Sequence, residues 1–318
     1  MDVVVVSPDF PQININLCEH LAQAGIRTLG IGDAVFDDLD IRLKESLTEY
    51  YRVDTLDNYD QVYRGTAFFA HKYGKPEIIE SNNAHWLEMD ARLRTDFNVA
   101  VGPRSLVSDA DSLKLLASHG IATGSGEGTL LSVEALVDDD GVPIFLGATR
   151  WPSESCLDYM YRTTTLPDHL RSLALEALRI LDARTTFLHM QVYVDTMTVL
   201  RVTRSAAPAF TLDMHNYAWQ TDVYQQYADL LASHDPNLQP VELPTPVRGD
   251  ICVYASRRDD GSYTHSAQAI EEAWGDQLRH VGRNPVQYRH GMGDTYYLAV
   301  VGTEDEADRF AAEVTERE

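Results

Sequence analysis

Residues 186–205, TFLHMQVYVDTMTVLRVTRS, read as two strands joined by a short turn, with β-branched and apolar positions alternating with polar ones on either side of Asp195-Thr196. A two-residue turn there pairs Val194 with Met197. By strand parity Gln191 then faces Leu200, His189 faces Val202 and Phe187 faces Arg204, so one face carries His189, Gln191, Leu200, Val202 and Arg204. A slip of one residue would present Arg201 and Thr203 instead. In either register the second strand offers no acid.

Upstream, residues 131–137 and 144–149 form a strand pair around the polar turn DDDG, and 113–120 is a short helix signal. Pro167 opens a helix whose Leu170, Leu173, Leu178 and Leu181 keep helical spacing. Downstream come a helix with Val223, Tyr227 and Leu230, then a Pro-rich connection over 236–246. The end reads as strand 251–255, helix 270–278, strand 296–301 and a helix opened by Thr303 with Glu306 three residues on, a capping box. The chain's beginning has another rhythm. Val3 to Val6 is a buried-strand run, Ile13, Leu17, Leu21 and Ala24 keep helical spacing up to Gly25, and 28–31 is a second strand. Strands at 51–53 and 76–81 and helices through 62–69 and 86–97 continue it, so a parallel sheet with crossover helices is expected.

The chain has 318 residues, 44% of them apolar, enough for one large or two smaller cores. Its 49 acids against 26 bases give a charge of -23, which repels phosphate backbones and anionic membranes, so no nucleic-acid or membrane partner is expected. The only lysines are Lys44, Lys72, Lys75 and Lys114. The three cysteines, Cys18, Cys156 and Cys252, form no metal or disulfide pattern, and no run approaches the roughly eighteen apolar residues of a membrane span. A cytoplasmic protein is expected.

The order of these elements, with VVVSPDFPQININLCEHLAQAGIRTLGIGD, YYRVDTLDNYDQVYRG and SNNAHWLEMDARLRTDFNV, followed by LLSVEALVDDDGVPIF, TFLHMQVYV, VLRVTRSAAPAFTLDMHNYAWQTDVY, HSAQAIEEAWGDQL and MGDTYYLAV, resembles the ATP-grasp carboxylate-amine ligases over most of the chain. The resemblance implies an α/β, ATP-grasp-like fold. Residues 1–104 would be a Rossmann-like pre-ATP-grasp domain, 105–246 a truncated antiparallel α+β grasp domain with helices on one side of its sheet, and 247–318 a C-terminal α/β subdomain.

The chemistry of such ligases places cations on the ATP phosphates and magnesium on carboxylates or amides. The two lysines the family carries before the LLSVEAL strand have no counterpart. FNVAVGPRS runs almost directly into DADSLKLLASHG, and Lys114 sits in an amphipathic segment that reads as a solvated face. Gln191, Leu200 and Val202 occupy the metal-ligand positions, Ala84 replaces a glutamate, and SAAPAF lacks the family's glycines. ATP and magnesium are therefore not expected to bind. GSGEGT, 124–129, leads into a strand with no lysine behind it and is read as a turn. Cys156 is not expected to be a nucleophile, and His265, His280 and His290 have no ligand spacing.

Arg204 matches the arginine that the resemblance assigns to the substrate carboxylate, with His189, Gln191, His215 and Arg150 as further candidates in the same cleft. The expected function is a degenerate ATP-grasp protein acting as a binding or partner subunit in small-molecule biosynthesis, its ligand a small carboxylate or amino-acid-like molecule. The alternatives are an ATP-independent enzyme using the old carboxylate pocket and a residual ATP-dependent ligase. The resemblance implies a hinged lid subdomain, bearing the two lysines, that is largely missing between residues 97 and 130; its loss would expose apolar strand surface, so a homodimer or partner protein is expected to cover it.

Overall fold

In the computed structural model, which describes residues 1–102, 108–152, 160–238 and 249–318, the chain folds around two sheets. The first part contains β1 (Asp2–Val6), α1 (Ile13–Gln23), β2 (Arg27–Gly32), α2 (Ile41–Ser46), β3 (Glu49–Arg52), α3 (Tyr59–Tyr73), β4 (Ile78–Glu80) and α4 (Leu87–Asp96). Its four strands are parallel in the order β3-β2-β1-β4. β1 is central and buried on both faces, which is why its sequence is an unbroken valine run: Val3 and Val5 pack with α1, and Val4 and Val6 with α3 and α4. This is the expected three-layer α/β domain.

The rest comprises α5 (Asp109–Ser118), β5 (Leu130–Val137), β6 (Pro143–Arg150), β7 (Met160–Thr164), α6 (Asp168–Ile180), β8 (Thr186–Tyr193), β9 (Thr198–Thr203), α7 (Thr211–Trp219), α8 (Val223–Ala232), β10 (Ile251–Arg257), α9 (Ala267–Trp274), β11 (Leu278–Arg283), α10 (Val286–Met292), β12 (Thr295–Val301) and α11 (Glu304–Thr315). Its strands form one eight-stranded antiparallel sheet, β11-β12-β10-β7-β6-β5-β8-β9. The sequence division at 246 falls in 239–248, outside the described residues; beyond it β10 pairs directly with β7, so the C-terminal strands extend the same sheet.

The expectation of helices on one side only is corrected. α1, α7 and α8 lie between the two sheets, against the face that carries Leu136, Phe145 and Phe187. α5 and α6 cover the other face, where Leu116, Leu170, Ala174 and Leu178 pack on Val133, Ala135, Met190 and Val202. Among the described residues, helices of the chain thus pack on both faces of β5, β6, β8 and β9. Farther along that outer face, α9 and α11 cover β10 and β12. No helix among the described residues is long and apolar enough to cross a membrane.

Candidate functional site

The register of β8 and β9 begins as parity predicts, with Tyr193 opposite Thr198 and Val192 opposite Val199. A bulge then inserts Leu200, so Gln191 faces Arg201 and His189 faces Thr203. The inter-sheet face therefore carries His189, Gln191, Arg201 and Thr203, while Val202 joins the apolar core on the other side. The expected row of Leu200, Val202 and Arg204 is displaced by one residue.

Arg204 lies beyond the paired row and does not join His189 and Gln191. Arg204 follows the end of β9, is buried, and donates from Nη2 to the Leu181 carbonyl at the end of α6. It lines a cavity of only about 20 Å³ at the junction of the domains, beside Glu80, Asp90, Arg94 and Tyr227. Arg150 is also not in the cleft. It stands opposite Leu131 and Arg162 on the outer face and lines a cavity of about 460 Å³ with Trp151, Arg162 and Asp308.

His189 and His215 do come together, on a residue the sequence reading passed over. Glu134 is the one acid within the apolar strand β5, and it is fully buried. Nε2 of His215 lies 3.0 Å from its Oε2 and Nδ1 of His189 lies 3.4 Å from its Oε1. The Thr149 hydroxyl donates to Oε2 at 3.0 Å, and the Ser132 hydroxyl donates to Oε1 while accepting from the Trp151 indole at 2.6 Å. Burial works to raise the pKa of this carboxyl, but the imidazoles outweigh it and hold it down to about 2. A period-2 scan finds Glu134 and Ser132 on one face of an otherwise apolar run, and that is the signal the sequence carried. Gly147 on β6 makes room for the His215 ring, since a Cβ there would meet it at 2.7 Å.

A column of rings extends from this cluster across the sheet: Trp151 stacks on Tyr161 (4.8 Å between centroids), Tyr161 on Tyr254 (4.7 Å), Tyr254 on Tyr296 (5.7 Å) and Tyr296 on His280 (5.5 Å). Each ring comes from a neighbouring strand or its end, so cross-strand packing aligns them.

Superposition on solved structures follows this architecture along its length. An L-amino acid ligase from Bacillus licheniformis aligns over 98% of this chain and 96% of its own, with 10% identity and a TM-score of 0.71. A phosphoribosylglycinamide synthetase from Anaerococcus prevotii aligns over 98% and 97%, with 7% identity and a TM-score of 0.69. The fold is ATP-grasp-like. The biotin carboxylase domain dimer of the Hydrogenobacter thermophilus 2-oxoglutarate carboxylase shares this ATP-grasp-like fold over 100% of the present chain and 90% of its own, at 12% identity and a TM-score of 0.62. No protein-family model and no curated protein sequence matches the chain.

The β8–β9 face offers few of the oxygens that magnesium takes. Magnesium takes hard oxygens, usually including a carboxylate. The β8–β9 face presents an amide at Gln191, a guanidinium at Arg201 and a hydroxyl at Thr203, and both oxygens of Glu134 are already engaged. Among the described residues no three His, Cys, Asp or Glu side chains converge as a metal site. All four lysines are engaged elsewhere: Lys44 with the Asp37 carbonyl, Lys72 with Glu49, Lys75 with the Asn98 carbonyl, and the exposed Lys114 with Asp111 at 3.3 Å.

Proposed function

We propose that this protein is a degenerate ATP-grasp scaffold that does not perform ATP- and magnesium-dependent ligation and acts as a binding or partner subunit for a small carboxylate or amino-acid-like molecule. One observation carries the reading: Arg201 stands directly opposite Gln191 on the strand face where an ATP-grasp ligase needs oxygen ligands for a metal. A guanidinium there repels a divalent cation, and its nearest acid, Asp109, lies 3.4 Å from it on α5 and serves as its own ion-pair partner. The Glu134 cluster supports the same reading, because its acid and imidazoles are buried and bound to one another, an arrangement that fixes α7 on β5 and β6.

The test is a titration of the full chain with ATP, with and without magnesium, read by calorimetry and by thermal stability. The expected result is no nucleotide binding under either condition. A magnesium-dependent stabilisation by ATP would overturn the reading.

A further inference from the structure

Where the two sheets approach each other, α1, α7 and β12 enclose a cavity of about 220 Å³, away from the Glu134 cluster. Phe210, Tyr217, Tyr296 and His280 give it an aromatic wall, and Asp213 and Arg42 are its charged groups. Asp213 Oδ1 accepts from Asn16 Nδ2 at 3.1 Å and Oδ2 accepts from the Tyr224 hydroxyl at 3.0 Å. Both donors are neutral, and a carboxylate has acceptor capacity for more than two bonds.

Arg42 acts on it only at a distance and forms no ion pair with it. Its guanidinium lies 3.6 Å from both Glu19 and Asp40 and donates to Asn16 Oδ1 at 3.0 Å, so its charge is matched outside the cavity. Asp213 has no ion-pair partner among the described residues, and burial pushes its pKa up to about 6. His280 shares a 2.9 Å hydrogen bond with the Tyr296 hydroxyl and stacks on that ring, which keeps it part of the wall. A half-buried carboxylate with no ion-pair partner, beside aromatic rings and facing an Arg42 already held by Glu19 and Asp40, in a chain of net charge -23, favours a positive guest over an anion.

We infer that this cavity binds a small organic cation, an ammonium group on an apolar or aromatic body, with Asp213 as its counter-ion. The inference rests on the reading of the chain as a small-molecule binder and assigns the cationic part of the ligand to a place. The volume is below the range of about 300–1,000 Å³ usual for larger ligands, so the guest is compact.

The full chain is titrated near neutral pH with three probes of similar shape: benzylammonium, benzyl alcohol and benzoate. Benzylammonium is expected to bind at least about tenfold more tightly than benzyl alcohol, and benzoate more weakly than either, because a charge-assisted bond contributes more than a neutral one. Asp213→Asn should weaken benzylammonium about tenfold to a hundredfold and leave benzyl alcohol nearly unchanged. Tyr217→Ala, at an exposed position, keeps the test alive if the first variant does not fold, and should weaken benzylammonium severalfold. Equal affinity for the three probes, no binding of benzylammonium, or unchanged affinity in a folded Asp213→Asn chain would overturn the inference. The ATP titration is separate: nucleotide binding would overturn the proposed loss of ligase chemistry and leave the probe ranking as a test of the cavity alone.

Discussion

His215 on α7 lies with Nε2 3.0 Å from Oε2 of Glu134 on β5, a residue 81 positions earlier in the chain. The contact joins the helix layer between the sheets to the centre of the larger sheet. A lone carboxylate at such a depth would be protonated or excluded, so its ionised form depends on the imidazoles and hydroxyls around it.

Glu134→Gln should destabilise the fold by about 1–3 kcal/mol, because an amide has one accepting oxygen where the carboxylate has two for Ser132, Thr149 and the imidazoles, and leaves a buried polar group unsatisfied. The sign with pH follows from the depressed pKa. The carboxylate's contribution is present above its ordinary value of 4.5 and is lost as pH falls toward about 2. Urea unfolding of the wild type should therefore weaken between those values, and the variant should have a flatter acid limb. An equal acid dependence in the two chains would show that the imidazoles do not hold the charge.

Gly147→Ala tests the geometry of the same cluster without changing a charge. The new Cβ would sit 2.7 Å from the His215 ring, which is itself buried and wedged against Phe145 and Trp219. The ring has no easy retreat, so a loss of about 1–3 kcal/mol is expected from overpacking. A chain as stable as the wild type would mean that His215 is free to move.

The parallel domain was readable because burial on both faces demands an apolar strand, and Val3–Val6 is one. The second sheet was readable where hairpins and apolar helices are strong, at β5, β6, β8, β9 and α6. β11 was missed because LRHVGR is a largely exposed edge strand with no apolar alternation, and its start was read as the end of the preceding helix. β7 carries no signal of its own, since its polar Arg162 is explained only by the sequence-distant Glu304 and Asp308. The bulge at Leu200 has no glycine or proline to announce it, so the placing of Arg204 in the cleft depended on a register that the sequence leaves open.

Gln191→Glu probes the face that the bulge created. The new carboxylate would stand directly across from Arg201, and opposite charges facing each other on neighbouring strands contribute about 0.2–1 kcal/mol. A small gain in stability that fades with added salt is expected, with no stabilisation by magnesium or magnesium-ATP. Metal-dependent stabilisation of this single variant would show that the site is one ligand away from working, against the reading given above.

At the junction of the two domains, the Tyr227 hydroxyl on α8 donates to Glu80 Oε2 at the end of β4. Glu80 is buried, and desolvation pushes its carboxyl up to about 7 in spite of the Tyr227 hydrogen bond and the Arg94 charge. Asp90 beside it is pushed up to about 6 for the same first reason, opposed by Arg94 and its bonds to Ser81. A carboxyl with a raised folded-state pKa contributes its stability below the unfolded value, here 4.5 for Glu80, and loses it as pH rises through about 7. The wild type should therefore become less stable from mildly acid to neutral pH, by an amount on the order of 3 kcal/mol if Glu80 dominates. Glu80→Gln keeps an oxygen to accept from Tyr227 and carries no proton to lose, so its unfolding temperature should fall less than the wild type's over that interval, the remaining slope coming from Asp90 and Asp213, and exceed the wild type's on the alkaline side. Parallel pH curves for the two chains would show that Glu80 is ionised in the folded protein throughout, and that the Tyr227 bond between α8 and β4 does not depend on its protonation.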